Sequence, residues 1–247
     1  MNCVETTYVK NIYEKIAPHF SATRKGDKWS YVVDFIQSLT PESILIDLGC
    51  GNGKYIDTRR DIYYIAMDNC DNLLTCAQNI FKEETHVSYL KGSIQEIPVL
   101  NNYVDNFISI AVFHHIFEEN ERFKCVEEMI RILKVNGRGM ITVWSTNQDE
   151  KRFKKWKPFG TKENDYLVPW SYREKFGIKH VNQESNVIYY DRYYHIFSKD
   201  EILSYFVPYL DKISILNIEE IHSNWVIIIK KNANYTVFKI NGTDFTK

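Results

Sequence analysis

The chain has 247 residues, 44% of them hydrophobic, and a net charge of −1 from 31 basic and 32 acidic side chains, which suits one large globular domain. No apolar run approaches the roughly 18–20 residues of a membrane helix, and the first residues lack the apolar core and cleavage site of a signal peptide, so a soluble protein of the cytoplasm, or of the nucleus, is expected. Five cysteines without a C-x-x-C pair argue against both a disulfide framework and a self-contained zinc site.

Apolar residues at helical spacing predict helices over residues 5–20 and 29–39. A buried strand, 43–48, runs into Gly49, Gly51 and Gly53, three of only ten glycines in the chain. A second strand over 62–67 ends at Asp68, and a helix carrying Leu73, Leu74, Ala77 and Ile80 follows. His86–Leu90 reads as a weaker strand at a sheet edge, 104–112 as a fourth strand, 118–133 as an amphipathic helix and 137–144 as a fifth strand. Near-continuous apolar strands alternating with helices predict an α/β fold with a mostly parallel sheet covered on both faces. The rhythm breaks over 145–191, which reads as a long insertion without a clean period, functional or mobile. A helix over 198–210 and strands over 213–218 and 224–230 complete a single domain of residues 1–230, and 231–247 reads as a tail.

Ligands of open parallel sheets bind beyond the carboxyl ends of the strands, where the strand order reverses. The segment from Asp47 to Gly53 sits at such an end. Its glycines allow a sharp turn and close backbone approach, and Asp68, 19 residues beyond Gly49, is placed to hold a ribose diol. The spacing G-x-G-x-G, with an acid before it and a poor helix after it, departs from the dinucleotide pattern G-x-G-x-x-G. It resembles the S-adenosylmethionine motif of class I methyltransferases, which implies their Rossmann-like fold, with seven strands and an insertion after the fifth. The resemblance assigns Asp47 to the amino-acid end of the cofactor and Asp68 to the ribose. It makes Gly49, Cys50, Gly51, Gly53, Asn69 and Ala111 lining residues, and Ser93 and Ile94 the adenine pocket. Such enzymes often carry an acid at the position of Ser93.

Six stretches, read together, resemble the eukaryotic tRNA wobble-uridine methyltransferases that esterify 5-carboxymethyluridine. They are residues 16–24 (Ile-Ala-Pro-His-Phe-Ser-Ala-Thr-Arg), 47–55, 108–115, 168–170 (Val-Pro-Trp), 192–195 (Arg-Tyr-Tyr-His) and 224–225 (Asn-Trp). Val226 stands where this family usually has a second tryptophan. The implied nucleophile is a carboxylate, already ionised at neutral pH, so alignment rather than a general base would carry the chemistry. Arg24 and Arg192 are candidates to hold the carboxylate's other oxygen, because guanidinium binds carboxylate in a fixed fork. His114 and His115 follow the fourth strand and should face the site. Trp144, Trp170, Tyr193, Tyr194 and His195 are candidate substrate or RNA contacts. Lys151, Arg152, Lys154 and Lys155, with Lys157, place five positive charges in seven residues around two aromatics, a pattern suited to phosphate and unpaired bases of an anticodon stem-loop. The resemblance also implies a heterodimer with a small activator protein, which would carry the zinc and dock at the sheet edge near His86–Leu90. A small-molecule O-methyltransferase and a non-catalytic module that binds cofactor or RNA are the alternatives.

Overall fold

A computed structural model of the chain describes residues 3–24, 26–173, 187–233, 238–240 and 243–245. Strands β1 (Ile44–Leu48), β2 (Tyr63–Asp68), β3 (Val87–Lys91), β4 (Val104–Ile110) and β5 (Leu133–Trp144) run parallel. The strand β10 (Asn224–Lys231) is antiparallel to β5 and to β9 (Ile213–Ile221). The sheet order is β3-β2-β1-β4-β5-β10-β9, so the reversal falls between β1 and β4 and β3 is an edge, as predicted. This is the seven-stranded class I methyltransferase arrangement.

Alternation along the strands divides the core between two faces. Ile46, Leu48 and Phe107 pack with Val126, Met129 and Ile130 of helix α5 (Glu119–Ile132). On the opposite face Leu45, Ala66 and Ile108 meet Val32, Phe35 and Ile36 of α3 (Ser30–Gln37) and Leu74 and Ala77 of α4 (Asp71–Ile80). Each Val, Leu, Ile, Phe or Met among them contributes about 1.5–3 kcal/mol by leaving water. Val226 is buried on this second face, so its departure from the family's tryptophan bears on packing.

The N-terminal helix runs longer than its apolar spacing predicts: α1 (Cys3–Glu5) passes through a π turn at Thr6–Lys10 into α2 (Asn11–Thr23). Pro18 lies inside α2 and cannot donate to the carbonyl of Glu14 four residues back. Asn72 Nδ2 takes that carbonyl at 2.9 Å instead. The Glu14 carboxylate then accepts the free N–H groups of Asp71 at 2.8 Å and Asn72 at 3.0 Å. The N-terminal helix thus caps α4 from outside, fixing itself over the carboxyl end of β2.

The insertion differs from the sequence expectation. Beyond the short helix α6 (Glu150–Phe153), it forms a three-stranded antiparallel sheet of β6 (Lys157–Pro158), β7 (Asp165–Arg173) and β8 (Val187–His195). Aromatic side chains occupy both faces of β8. Tyr193 and Tyr194 are adjacent and both buried, which erases the polar–apolar alternation that marks a strand. The helix α7 (Lys199–Ser204) returns the chain to the main sheet. The segment read as a tail contains a short antiparallel pair, β11 (Phe238–Ile240) with β12 (Thr243–Phe245). Among the described residues, no helix is long and apolar enough to cross a membrane.

Candidate active site

A cavity of about 1150 Å³ opens beyond the carboxyl ends of β1, β2 and β4, between the main sheet, the N-terminal helix and the insertion. Its two halves carry opposite charge chemistry.

The first half is the glycine turn. Gly49 and Cys50 donate to the Met67 carbonyl at 2.8 and 2.9 Å, folding the chain back over β2. Gly49 has φ +87°, and a Cβ there would lie 2.4 Å from Val112, so only glycine lets β1 and the turn after β4 approach this closely. Gly51, at φ +56°, would set a Cβ in ordinary contact with Phe20 at 3.8 Å, and its N–H donates to Asp68 Oδ2 at 2.8 Å. Cys70 N–H donates to Asp68 Oδ1 at 2.9 Å, so Asp68 is held rigidly with lone pairs to spare. Asp47 accepts from the Tyr64 hydroxyl at 2.7 Å.

Both carboxylates are buried. Burial pushes Asp47 up to about 7, against the Tyr64 hydrogen bond and helped by Asp68 nearby. Burial likewise pushes Asp68 up to about 6, opposed by the N–H groups of Cys70 and Gly51. Neither makes a salt bridge among the described residues. Two desolvated acids beside an open glycine backbone fit an ammonium and a diol, the polar ends that S-adenosylmethionine presents. Asn69, Ile94 and Ala111 line the same space, and Ala111 takes φ +60° while its N–H donates to Thr142 Oγ1 at 2.9 Å.

The second half is cationic and aromatic. Arg192 is 5% exposed and makes no salt bridge among the described residues. Its Nη1 donates to Tyr13 Oη at 3.1 Å, its Nε has no hydrogen-bond partner, and its guanidinium lies 4.8–5.7 Å from the ring centroids of Trp170, Tyr194 and Tyr13. Burial opposes its charge, but the facing phenol groups of Tyr194 and Tyr13 outweigh that and keep it charged.

His115 Nδ1 donates to the Tyr193 carbonyl at 2.8 Å, and its Nε2 accepts from Tyr13 at 3.2 Å. Burial drives His115 down to about 3, and Arg192 adds to this, so it is neutral. His114 Nδ1 accepts from the Trp144 backbone N–H at 3.3 Å, which places its proton on Nε2, and that buried group has no partner among the described residues. Burial, with His115 and Arg192 close by, lowers His114 well below its ordinary value.

The residues predicted from sequence divide clearly. Asp47, Gly49, Cys50, Gly51, Asp68, Asn69, Ser93, Ile94 and Ala111 line the cavity, as do Arg24, His114, His115, Trp144, Arg152, Lys155, Arg192 and Tyr194. Gly53 lies below it, closing the turn on Cys50 at 2.9 Å. Lys151 and Lys154 point elsewhere, because one face of α6 is turned to solvent.

Four assigned contacts are corrected. Trp144 cannot offer a face to a base: Tyr194 stacks on it at 4.2 Å and Trp156 at 5.1 Å, both nearly parallel. Trp170 lies behind the cavity wall, where its Nε1 donates to His19 at 3.2 Å and its rings support Arg24 and Arg192. Tyr193 and His195 fall on the opposite side of β8 from Arg192 and Tyr194. Tyr193 donates to Asp165 at 2.8 Å, and His195 lies between Asp165 at 2.5 Å and Glu201 at 2.6 Å. A histidine with a carboxylate on each nitrogen ties the insertion to α7 and does not face the cavity.

Sequence reasoning missed Tyr13, which joins Arg192, His115 and Tyr194, and it missed Glu5. Glu5, Val9 and Tyr13 recur every four residues and all line the cavity, so an acid standing in an apolar stripe was the available signal.

A methyltransferase-domain family model matches residues 46–141. The tRNA (carboxymethyluridine(34)-5-O)-methyltransferase of Schizosaccharomyces pombe is 34% identical over 242 residues, covering 92% of this chain and 98% of that protein. Its namesake in Arabidopsis thaliana is 37% identical over 168 residues, covering 68% of this chain and 39% of that longer protein. Among solved structures, an S-adenosylmethionine-dependent methyltransferase from Clostridium acetobutylicum matches with a TM-score of 0.66 at 14% identity, over 90% of this chain and 100% of its own. A chain from the complex between the Haloferax volcanii Trm112 methyltransferase activator and a putative methyltransferase matches with a TM-score of 0.62 at 13% identity, over 92% of this chain and 99% of its own. The two structures share the fold, and the near full-length identity to the Schizosaccharomyces pombe protein places this chain in the tRNA (carboxymethyluridine(34)-5-O)-methyltransferase family.

Proposed function

We propose that the chain esterifies the carboxyl group of 5-carboxymethyluridine at position 34 of tRNA, using S-adenosylmethionine. The observation that carries this reading is Arg192: a buried guanidinium with an unpartnered Nε, facing a cavity and lacking any carboxylate of its own among the described residues. An uncompensated buried cation is costly, and a substrate carboxylate supplies what it lacks. His114 Nε2–H is a second donor beside it.

When bound, the cofactor supplies a methyl group on a sulfonium. A substrate carboxylate oxygen would take that methyl group, the carbon–sulfur electron pair remaining with sulfur, and what this chain's residues supply is the placement of the two ends. No proton moves, and beside Arg192 the described residues offer no base that titrates near neutrality: His115 stays neutral because burial holds it near 3, and the two acids raised toward neutrality, Asp47 and Asp68, lie in the other half of the cavity. Arg192 and His114 hold the carboxylate in line, an alignment worth several kcal/mol. Asp47 and Asp68 fix the cofactor.

The tRNA reading also draws support from Arg152 and Lys155 at the cavity mouth, where they meet a phosphate backbone entering the site. The activator reading rests on β3, which among the described residues pairs with β2 alone and leaves its other ladder edge open. The zinc would be held by that partner. The deciding experiment supplies labelled cofactor to the chain with its activator, with tRNA that bears or lacks the carboxymethyl group. A base-labile methyl ester forms only on the first tRNA; equal label on both would overturn the reading.

A further inference from the structure

Glu5 is an acid buried where the N-terminal helix crosses the far end of the cavity, 4% exposed and remote from Arg192 in the hydrogen-bond pattern. Its partners among the described residues are neutral. Oε1 accepts Phe117 N–H at 3.0 Å and Oε2 accepts the Gln95 side-chain amide at 2.7 Å. Gln95 is 7% exposed and its Oε1 accepts in turn from the Ser93 hydroxyl. The chain of bonds therefore has one direction. Burial raises Glu5 above its ordinary value, against the hydrogen bonds from Phe117 and Gln95; in its ionised form the carboxylate can only accept, so the Gln95 amide turns its NH2 to Glu5 and its oxygen to Ser93. Ser93 must then spend its proton on Gln95 and show the cavity only lone pairs.

We propose that Glu5, acting through Gln95, makes Ser93 a fixed hydrogen-bond acceptor and so sets the selectivity of the cofactor site for a 6-amino purine over a 6-oxo purine. This rests on reading the Ser93 end of the cavity as the adenine subsite. An exocyclic amino group donates to such an acceptor, whereas a 6-oxo group sets lone pairs against lone pairs. The acid that sits at the Ser93 position in many class I enzymes is here displaced by two links onto the N-terminal helix. Glu5 is a positioning residue here, acting through Gln95 on Ser93.

The polarity gives a test that simple packing does not. In Glu5→Gln the new side chain must keep its oxygen on Phe117 N–H, so it presents NH2 to Gln95. Gln95 then turns over, donates to Ser93, and frees the Ser93 proton to point into the cavity. Affinities of S-adenosylhomocysteine and S-inosylhomocysteine are measured by calorimetry on the full chain with its activator, alongside thermal unfolding.

The native protein is expected to prefer the adenosyl compound, and Glu5→Gln to lower the ratio of the two affinities about tenfold or more, chiefly by improving inosyl binding. Ser93→Ala should lower the ratio as well, and adding Glu5→Gln to it should change the ratio no further. If Glu5→Gln does not fold, Gln95→Met breaks the same link and is expected to lower the ratio. An equal loss for both ligands, or a ratio that responds to Ser93→Ala but not to Glu5→Gln or Gln95→Met, would overturn the proposal. Failure of the native chain to bind S-adenosylhomocysteine at all would instead remove the cofactor reading beneath it.

Discussion

Cofactor binding should release protons, because the two acids proposed to receive the cofactor are held partly neutral before it arrives. Asp47 stands at about 7 and Asp68 at about 6, each raised chiefly by burial. Folded values above the unfolded value favour the neutral form. The two groups therefore weigh least on the free protein at low pH and cost it stability as pH rises from about 4 through about 7. For Asp47 the cost at pH 8 is about 4 kcal/mol, taking about 1.4 kcal/mol per pH unit over some three units. An ammonium beside Asp47, and hydroxyl donors on Asp68, stabilise the ionised forms and offset that cost.

At pH 6 about nine-tenths of Asp47 and about half of Asp68 are protonated, so binding displaces about 1.4 protons there and only about 0.1 at pH 8. Affinity should rise about tenfold from pH 6 to pH 7 and then level off, the ligand's own amino group staying charged over that range. Titration calorimetry of S-adenosylhomocysteine in two buffers of different ionisation enthalpy counts the released protons directly. Asp47→Asn should remove most of the release at pH 6. Proton release of zero at pH 6, with affinity flat from pH 5.5 to 7.5, would show that these carboxylates do not receive the cofactor.

The substrate half is tested separately. Arg192→Met should lower kcat/KM for carboxymethylated tRNA about 10²–10³-fold by leaving a buried carboxylate unpaired, with S-adenosylhomocysteine affinity changed less than about threefold. Single-turnover methylation by cofactor-saturated enzyme should be flat between pH 6 and 9, since His115 stays neutral throughout; a limb rising with a midpoint near 7 would point to a general base. Gln at both Arg152 and Lys155 should reduce the slope of log affinity against log salt for tRNA by about one to two, whereas Gln at Lys151 and Lys154, which do not line the cavity, should reduce it less. His195→Ala leaves buried Asp165 without its ring partner, and it should cost about 2–4 kcal/mol, seen as a fall in Tm of roughly 5–15 °C, with methylation retained at low temperature.

The donor half was legible because its chemistry is local in sequence. A glycine turn after β1 and an acid ending β2 are each set by one strand terminus, so spacing alone brings Asp47, Gly51 and Asp68 together. The acceptor half was legible only in part. Arg192 and His114 could be named as residue types that suit a carboxylate, but which face of β8 looks inward depends on how the insertion pairs with itself. With aromatics on both faces, one register places Tyr194 in the cavity and buries Tyr193 and His195 against Asp165 and Arg122. Trp144 illustrates the same limit: its position at the end of β5 was predictable, whereas the covering of both its faces by Tyr194 and Trp156 is a tertiary fact.

The division of charge between the two halves explains why the site needs no titrating base. Among the described residues the buried acids have no cation and the buried guanidinium has no anion, so on the proposed reading the cofactor brings its positive end to the first and the substrate its negative end to the second. Between them the histidines are dried and neutral, with His115 locked as donor to Tyr193 and acceptor from Tyr13. The acceptor half would serve an amine or alcohol nucleophile poorly, because among the described residues beside Arg192 no group is poised to take the proton that must leave. It suits a nucleophile that arrives ionised. In that case the buried Arg192 has a restraining part as well: each hydrogen bond to the carboxylate lowers the nucleophilicity of the oxygen it touches. The forked guanidinium therefore serves best when it holds the oxygen that does not react, leaving the other free to meet the methyl carbon in line.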